Sequence, residues 1–192
     1  MSSGTTPGEN ADFDESDFDL DGPQHFREPR FRLLADGSAM VSLETYERDL
    51  LKRLPLQLRE LLQSTEPEHA GALVRLFPPA YLEDPEKNAE FEQLMRSDLV
   101  ERKVAVAEML SETADAAVLT EAQLAAWMGA INDIRLVIGT QLDIREDRDP
   151  DEIDEDDPRF PAVMLYGYFT HLLTELVDAL EETLPEPVPD DG

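Results

Sequence analysis

Residues 120–142 read TEAQLAAWMGAINDIRLVIGTQL, and the way this stretch winds decides the fold. Thr120 is placed to accept from the amide of Gln123 while the Gln123 side chain reaches back, the reciprocal capping box that opens a helix. At about 100° per residue, Leu124, Trp127, Met128, Ile131, Ile134, Ile138 and Leu142 fall on one face. Ala125, Ala126, Ala130, Leu136 and Val137 cover most of the rest. A helix that is apolar nearly all round belongs in the middle of a domain. The expected architecture is mainly α, a helical bundle around this central helix.

Arg135 breaks the pattern. It lies inside the main apolar arc, where an unpaired guanidinium costs several kcal/mol in lost hydration, so a partner is required. The longest neighbouring helix is expected to start at Asp84-Pro85, a cap followed by proline in the first turn, and to run to about Ala117. Its apolar residues Phe91, Leu94, Met95, Leu99, Val106, Met109 and Leu110 define an arc that also contains Asp98 and Arg102, four residues apart and able to pair. Asp98, Arg102 and Arg135 are therefore expected to meet where the two helices pack, with Arg96 and Asn132 nearer the margin. Such a cluster either fixes helix register as a structural ion pair or, because two guanidiniums face one carboxylate, forms a small anion pocket.

Upstream, Phe31–Ala35 and Ala39–Leu43 flank Asp36-Gly37, the dipeptide that supplies positive φ in a tight turn, and predict a small N-terminal β-hairpin. A helix capped by Ser42 or Thr45 follows, with Tyr46, Leu50, Leu54, Leu58 and Leu61 in one stripe; Pro55 should kink it or divide it in two. His69–Leu76 suits a short helix stopped by Phe77-Pro78-Pro79. A last helix is expected from about Pro161 to Thr183, burying Tyr166, Phe169, Leu172, Leu173, Leu176, Val177 and Leu180 and turning His171, Glu175 and Asp178 to water.

The net charge is −28, and three stretches, 1–22, 146–157 and 175–192, together hold −22 of it. The first, rich in Ser, Gly, Asp and Glu, has too little apolar material to offset ordering entropy, so residues 1–24 are read as a disordered acidic tail. Residues 25–184 form one helical domain containing an acidic loop at 143–159, and 185–192 form a second acidic tail. A polyanionic surface repels phosphate, which disfavours unaided nucleic-acid binding and adsorption to an anionic membrane. Residues 25–60 are the least acidic part, with seven Lys or Arg against six acids. There Arg27, Arg30, Arg32, Lys52, Arg53 and Arg59 make the candidate basic contact surface. The chain has no Cys, so no disulfide, thiolate site or thiol switch can form within it. No secretory leader or membrane span is seen, and a cytoplasmic protein is expected.

Chemistry-bearing motifs are sparse. Asp17, Asp19, Asp21 and Glu28, with Gly22 at the sixth place, satisfy the spacing of a calcium-binding loop. The flanks argue against it: Gly4, Pro7 and Gly8 precede, and Pro29 follows Glu28 directly, where two helices should grip the loop. Glu66 and His69 have a di-iron ligand spacing, but Pro67 divides them and no second Glu-x-x-His exists. Neither a phosphate-cradling Gly-rich loop nor a nucleophile elbow is present. No catalytic residue, resident metal or cofactor is expected, and the chain is read as a non-enzyme.

Several stretches carry a resemblance: FRLLADGSAMVSLETYERDLLKRLPLQLRELL, RLFPPAYLEDPEKNAEFEQLMRSDLVERK and LTEAQLAAWMGAINDIRLVIGTQLDI. With the last aromatic helix they resemble, from Arg30 to Leu180, an actinobacterial domain family of unknown function that includes the AosR oxidative-stress transcriptional regulators. The resemblance implies a regulator working with the transcription machinery, through a partner such as a sigma factor or RNA polymerase. It supplies no catalytic residues. The expected function is thus non-enzymatic regulation through protein contacts; the alternative is a sensor of small anions built on the Asp98, Arg102 and Arg135 cluster.

Overall fold

A computed structural model describes residues 29–64, 66, 69, 71–144, 154 and 156–181. The acidic tails, Arg27, the calcium-like spacing at Asp17 to Glu28 and most of the 143–159 loop lie outside these residues. In chain order the elements are strands β1 (Phe31–Leu33) and β2 (Ala39–Val41), helices α1 (Thr45–Gln63) and α2 (Pro85–Thr113), strand β3 (Val118–Leu119), and helices α3 (Glu121–Gln141) and α4 (Phe160–Glu181). No helix among the described residues is long and apolar enough to cross a membrane.

The hairpin forms as its turn chemistry dictates. Gly37 takes a φ of 81°, and the Asp36 carboxylate accepts from the backbone and hydroxyl of Ser38 at 3.1 and 2.6 Å, which also holds its pKa below the ordinary carboxylate value. Phe31 faces Val41 and Leu33 faces Ala39 across the ladder. The sequence reading missed a third strand: β3 pairs antiparallel with β2, Ala39 opposite Leu119, giving the order β1-β2-β3. Only two residues long, β3 carries too little alternation to be recognised; it falls between the expected end of the long helix near Ala117 and the cap at Thr120. Phe31, Ala39, Val41 and Leu119 face the core, while Met40 and Val118 on the other face remain exposed.

Helix α3 lies at the centre, as its composition requires. Its cap is the one expected, with Gln123 N–H donating to Thr120 Oγ1 and Thr120 N–H to Gln123 Oε1. Leu124, Trp127, Ala130, Ile131, Ile134, Val137 and Ile138 are buried along it, between α2 on one side and α4 on the other. Trp127 is wholly enclosed, edge-on to Phe31 at 6.1 Å, with its indole N–H satisfied by Thr113 Oγ1 at 2.8 Å. The helix stops in a Schellman turn: Asp143 adopts a positive φ of 52°, Ile144 N–H donates to the Gly139 carbonyl and Asp143 N–H to that of Thr140.

Three local expectations change. Glu44, not Ser42 or Thr45, is the cap residue of α1, its amide donating to Glu47 Oε2 at 2.8 Å. Helix α1 runs through Pro55 as one element and is not divided there; the carbonyl of Lys52, in the preceding turn, accepts from Ser111 Oγ of α2 at 2.8 Å. Residues 71–76 form turns that bury Leu73 and Leu76.

The end of α2 depends on Arg48. Its NH1 group donates to the carbonyls of Ala114 and Ala116 at 2.7 and 3.2 Å, its Nε to Leu43 and its NH2 to Val41. A cation there satisfies carbonyls that the helix leaves unpaired and complements the negative end of its dipole. Arg48→Met is expected to lower stability by about 2 kcal/mol, read as a shifted urea midpoint at unchanged slope.

Candidate functional site

One knot of buried polar groups forms where β1, the start of α1 and the last turns of α4 meet. Pro29 leads into β1 and sets Arg30 just before the strand, its carbonyl accepting from Ser42 N–H at 2.8 Å. From there the guanidinium forks: Nε donates to Glu47 Oε1 at 2.8 Å and NH1 to Glu175 Oε1 at 2.6 Å. Glu47, only 2% exposed, is the residue whose side chain accepts from the Glu44 amide at the start of α1, so one carboxylate serves the helix start with one oxygen and Arg30 with the other. His171, one turn earlier on α4, approaches Glu175 Oε1 at 2.8 Å.

Two buried atoms in this knot have no hydrogen-bond partner: the Tyr168 hydroxyl and Glu175 Oε2. Burial, and then the Glu47 carboxylate, push Tyr168 well above the ordinary phenol range against the opposing Arg30 charge, so the phenol stays neutral. Arg30 itself is held above its ordinary value: burial works against the charge, but the hydrogen bond and charge of Glu47, with Glu175, outweigh it.

Alongside the knot runs a groove of about 330 Å³ lined by Pro29, Phe31, Arg32, Leu33, Glu175, Asp178 and Ala179. Its floor is apolar and one wall carries two carboxylates. Arg32 turns across the hairpin to the Met40 sulfur. Among the described residues no group of three or more His, Asp or Glu side chains is disposed to hold a metal.

A family model described as a domain of unknown function, DUF2017, matches residues 27–180. The chain belongs to this family. No curated protein matches it, and no solved structure does. The DUF2017 match therefore spans β1 to α4, all but the last residue of α4.

Within this DUF2017 domain the cluster expected from the sequence does not assemble. Asp98, Arg102 and Arg96 are all exposed on α2, and no hydrogen bond or ion pair joins Asp98 or Arg102 to Arg135. Arg96 instead lies over the Phe77 ring at 4.5 Å. Arg135 donates to Asn132 Oδ1 at 3.0 Å on its own helix and sits 5.9 Å from the Tyr166 ring centre, with a buried Nε that has no partner. The physical reason is which side of α3 each neighbour occupies. Arg135 points toward α4, whereas α2 packs on the opposite face. On the α4 side Gly139 lets Tyr166 come close, since a Cβ would stand 3.0 Å from its ring.

The pair that does join α2 to α3 is Lys103 with Asp133, at 2.7 and 2.8 Å to the two carboxylate oxygens. Asp133 is 6% exposed. Burial raises its pKa, and the Lys103 ammonium only partly opposes this. Asp133 was missed because the signal sought was a charge inside the richer apolar arc; it lies on the alanine-rich back face.

The candidate basic surface is also largely neutralised. Arg30 is spent on Glu47 and Glu175, Lys52 on Asp49 and Asp115, and Arg59 on Glu108. Arg32 and Arg53 remain exposed.

Proposed function

We propose that the protein is a non-enzymatic regulator acting through protein–protein contacts in the cytoplasm, and that its partner is a basic segment of the transcription machinery, such as a sigma factor or RNA polymerase. The observation that carries this reading is the disposition of charge. Arg30, Lys52 and Arg59, three of the cations that a phosphate backbone would need, are committed to carboxylates of the chain itself, while the net charge is −28. Such a surface attracts basic protein segments and repels nucleic acid. The groove between β1 and α4, lined by Pro29, Phe31, Leu33 and Ala179 with exposed Asp178 beside them, suits an extended segment bearing Lys or Arg. The class of partner comes from the resemblance to AosR-type regulators; without Cys, this chain would regulate by a means other than its own thiol switch.

Retention experiments test this. Immobilised protein is expected to hold a sigma factor or polymerase subunit from an actinobacterial extract at low salt and to release it at high salt. Asp178→Lys is expected to weaken that retention while leaving the melting temperature unchanged. Retention of nucleic acid in place of a transcription protein, or binding indifferent to salt and to Asp178→Lys, would overturn the reading.

A further inference from the structure

Helix α2 presents to solvent a face that none of the other described residues covers, apart from Tyr81 against Phe91. Its contacts with the core run through Val100, Lys103, Val104, Val106, Ala107, Leu110 and Ala114, and no residue from Pro85 to Val106 is fully buried. On the outward side, at about 100° per residue, Phe91, Leu94, Met95, Asp98, Arg102, Ala105 and Met109 fall in one stripe. Leu94 is 76% and Met109 38% exposed. Asp98, Arg102 and Ala105 are exposed as well, and neither Asp98 nor Arg102 makes an ion pair among the described residues. Tyr81, packed edge-on against Phe91 at 6.1 Å, and Leu82, 84% exposed, extend the patch beyond the start of the helix.

We propose that this face binds a second copy of the chain, two α2 helices lying antiparallel about a two-fold axis at the level of Val100. The order of residues along the stripe selects this occupant. A two-fold axis there sets Asp98 of each copy opposite Arg102 of the other, so two symmetric ion pairs close the centre. On either side Phe91 meets Met109, and Leu94 and Met95 meet Ala105. The charge pattern is its own complement only in that orientation: a parallel pairing would set Asp98 against Asp98. A self-complementary patch is what a two-fold dimer requires. The matched stripe from Phe91 to Met109 is about 27 Å long at 1.5 Å per residue. The interface belongs at the low end of stable ones, near 1,200 Å² in total, so the equilibrium is concentration-dependent. Two chains of net charge −28 repel at long range, and physiological salt screens that repulsion beyond about 8 Å while leaving the close pairs attractive.

Sedimentation equilibrium on the full chain, from low micromolar to submillimolar concentration at physiological salt, provides the test. The mass is expected to rise from 21.6 kDa toward twice that value. Asp98→Arg sets four positive charges together and Arg102→Asp four negative ones; each is expected to weaken association about a hundredfold. Mixing those two variants restores both ion pairs, so the mixture is expected to associate where neither alone does. Asp98 and Arg102 are exposed, so each variant is expected to keep the parent's circular dichroism spectrum, which checks that it is folded. A chain monomeric throughout the series, a dimer indifferent to either reversal, or a mixture no better associated than its components would overturn the proposal.

Discussion

Replacing Arg30 with methionine is expected to lower stability by about 3–5 kcal/mol, the usual result of removing one partner from a buried ion pair. The size follows from what remains. Glu47 is 2% exposed, Glu175 has one oxygen already without a partner, and the Tyr168 hydroxyl beside them donates to nothing. Without the guanidinium, the two carboxylates lose the cation that binds them at 2.8 and 2.6 Å, and water has little access to replace it. Lysine is a poor substitute, because a single ammonium cannot reproduce a fork that sends Nε to one carboxylate and NH1 to the other. Arg30→Lys should therefore recover only part of the loss. Glu175→Gln should cost less than Arg30→Met, since Glu47 keeps its partner. Urea unfolding of the three variants measures the order. A loss under about 1 kcal/mol for Arg30→Met, the range of exposed pairs, would show that Glu47 and Glu175 rehydrate freely and that the knot is not buried in solution.

Lys103→Met is the second large effect, again about 3–5 kcal/mol near neutral pH, and it carries a pH signature. Burial raises Asp133 above its ordinary value of 3.8, with Lys103 opposing the rise. A carboxyl whose folded pKa is raised binds its proton more tightly in the folded state, so its contribution to stability falls as pH rises from the unfolded value through the folded one. Removing Lys103 removes the opposing influence and moves the folded pKa further up. The deficit of Lys103→Met relative to the parent is therefore fully expressed above that pKa and shrinks on acidification toward 3.8. Comparing the variant with the parent at each pH cancels the general gain that acidification brings to so acidic a chain. Adding Asp133→Leu should return most of the stability at neutral pH, because an apolar pair leaves no buried charge unmatched. A deficit that stays constant with pH would mean that Asp133 is solvated in the folded state.

Both charge arrangements show where reading the chain alone fails. Periodicity gives the direction of a side chain relative to its own helix axis, and nothing about which neighbour stands there. Arg135 was correctly recognised as a charge in the apolar arc of α3, yet that arc meets α4, with Tyr166 against it. On α2 the ambiguity is greater, because apolar residues are spread widely around the helix. The arc through Phe91, Leu94, Met95 and Met109 holds more apolar bulk. The core nevertheless took the side of Ala107, Leu110 and Ala114, where small residues let helices approach closely.

What the sequence by itself determined is local: the capping box at Thr120, the turn at Asp36-Gly37, the proline-led start of α2, and the central place of a helix apolar on every side. Each follows from the conformational or solvation preferences of residues close together in the chain. The tertiary structure alone decided the partners. Arg30 meets Glu175 across 145 positions and Lys103 meets Asp133 across 30, distances over which periodicity carries no information. A single guanidinium can be neutralised by any carboxylate that packing brings within reach, so which pairs form is settled only when the helices choose their faces.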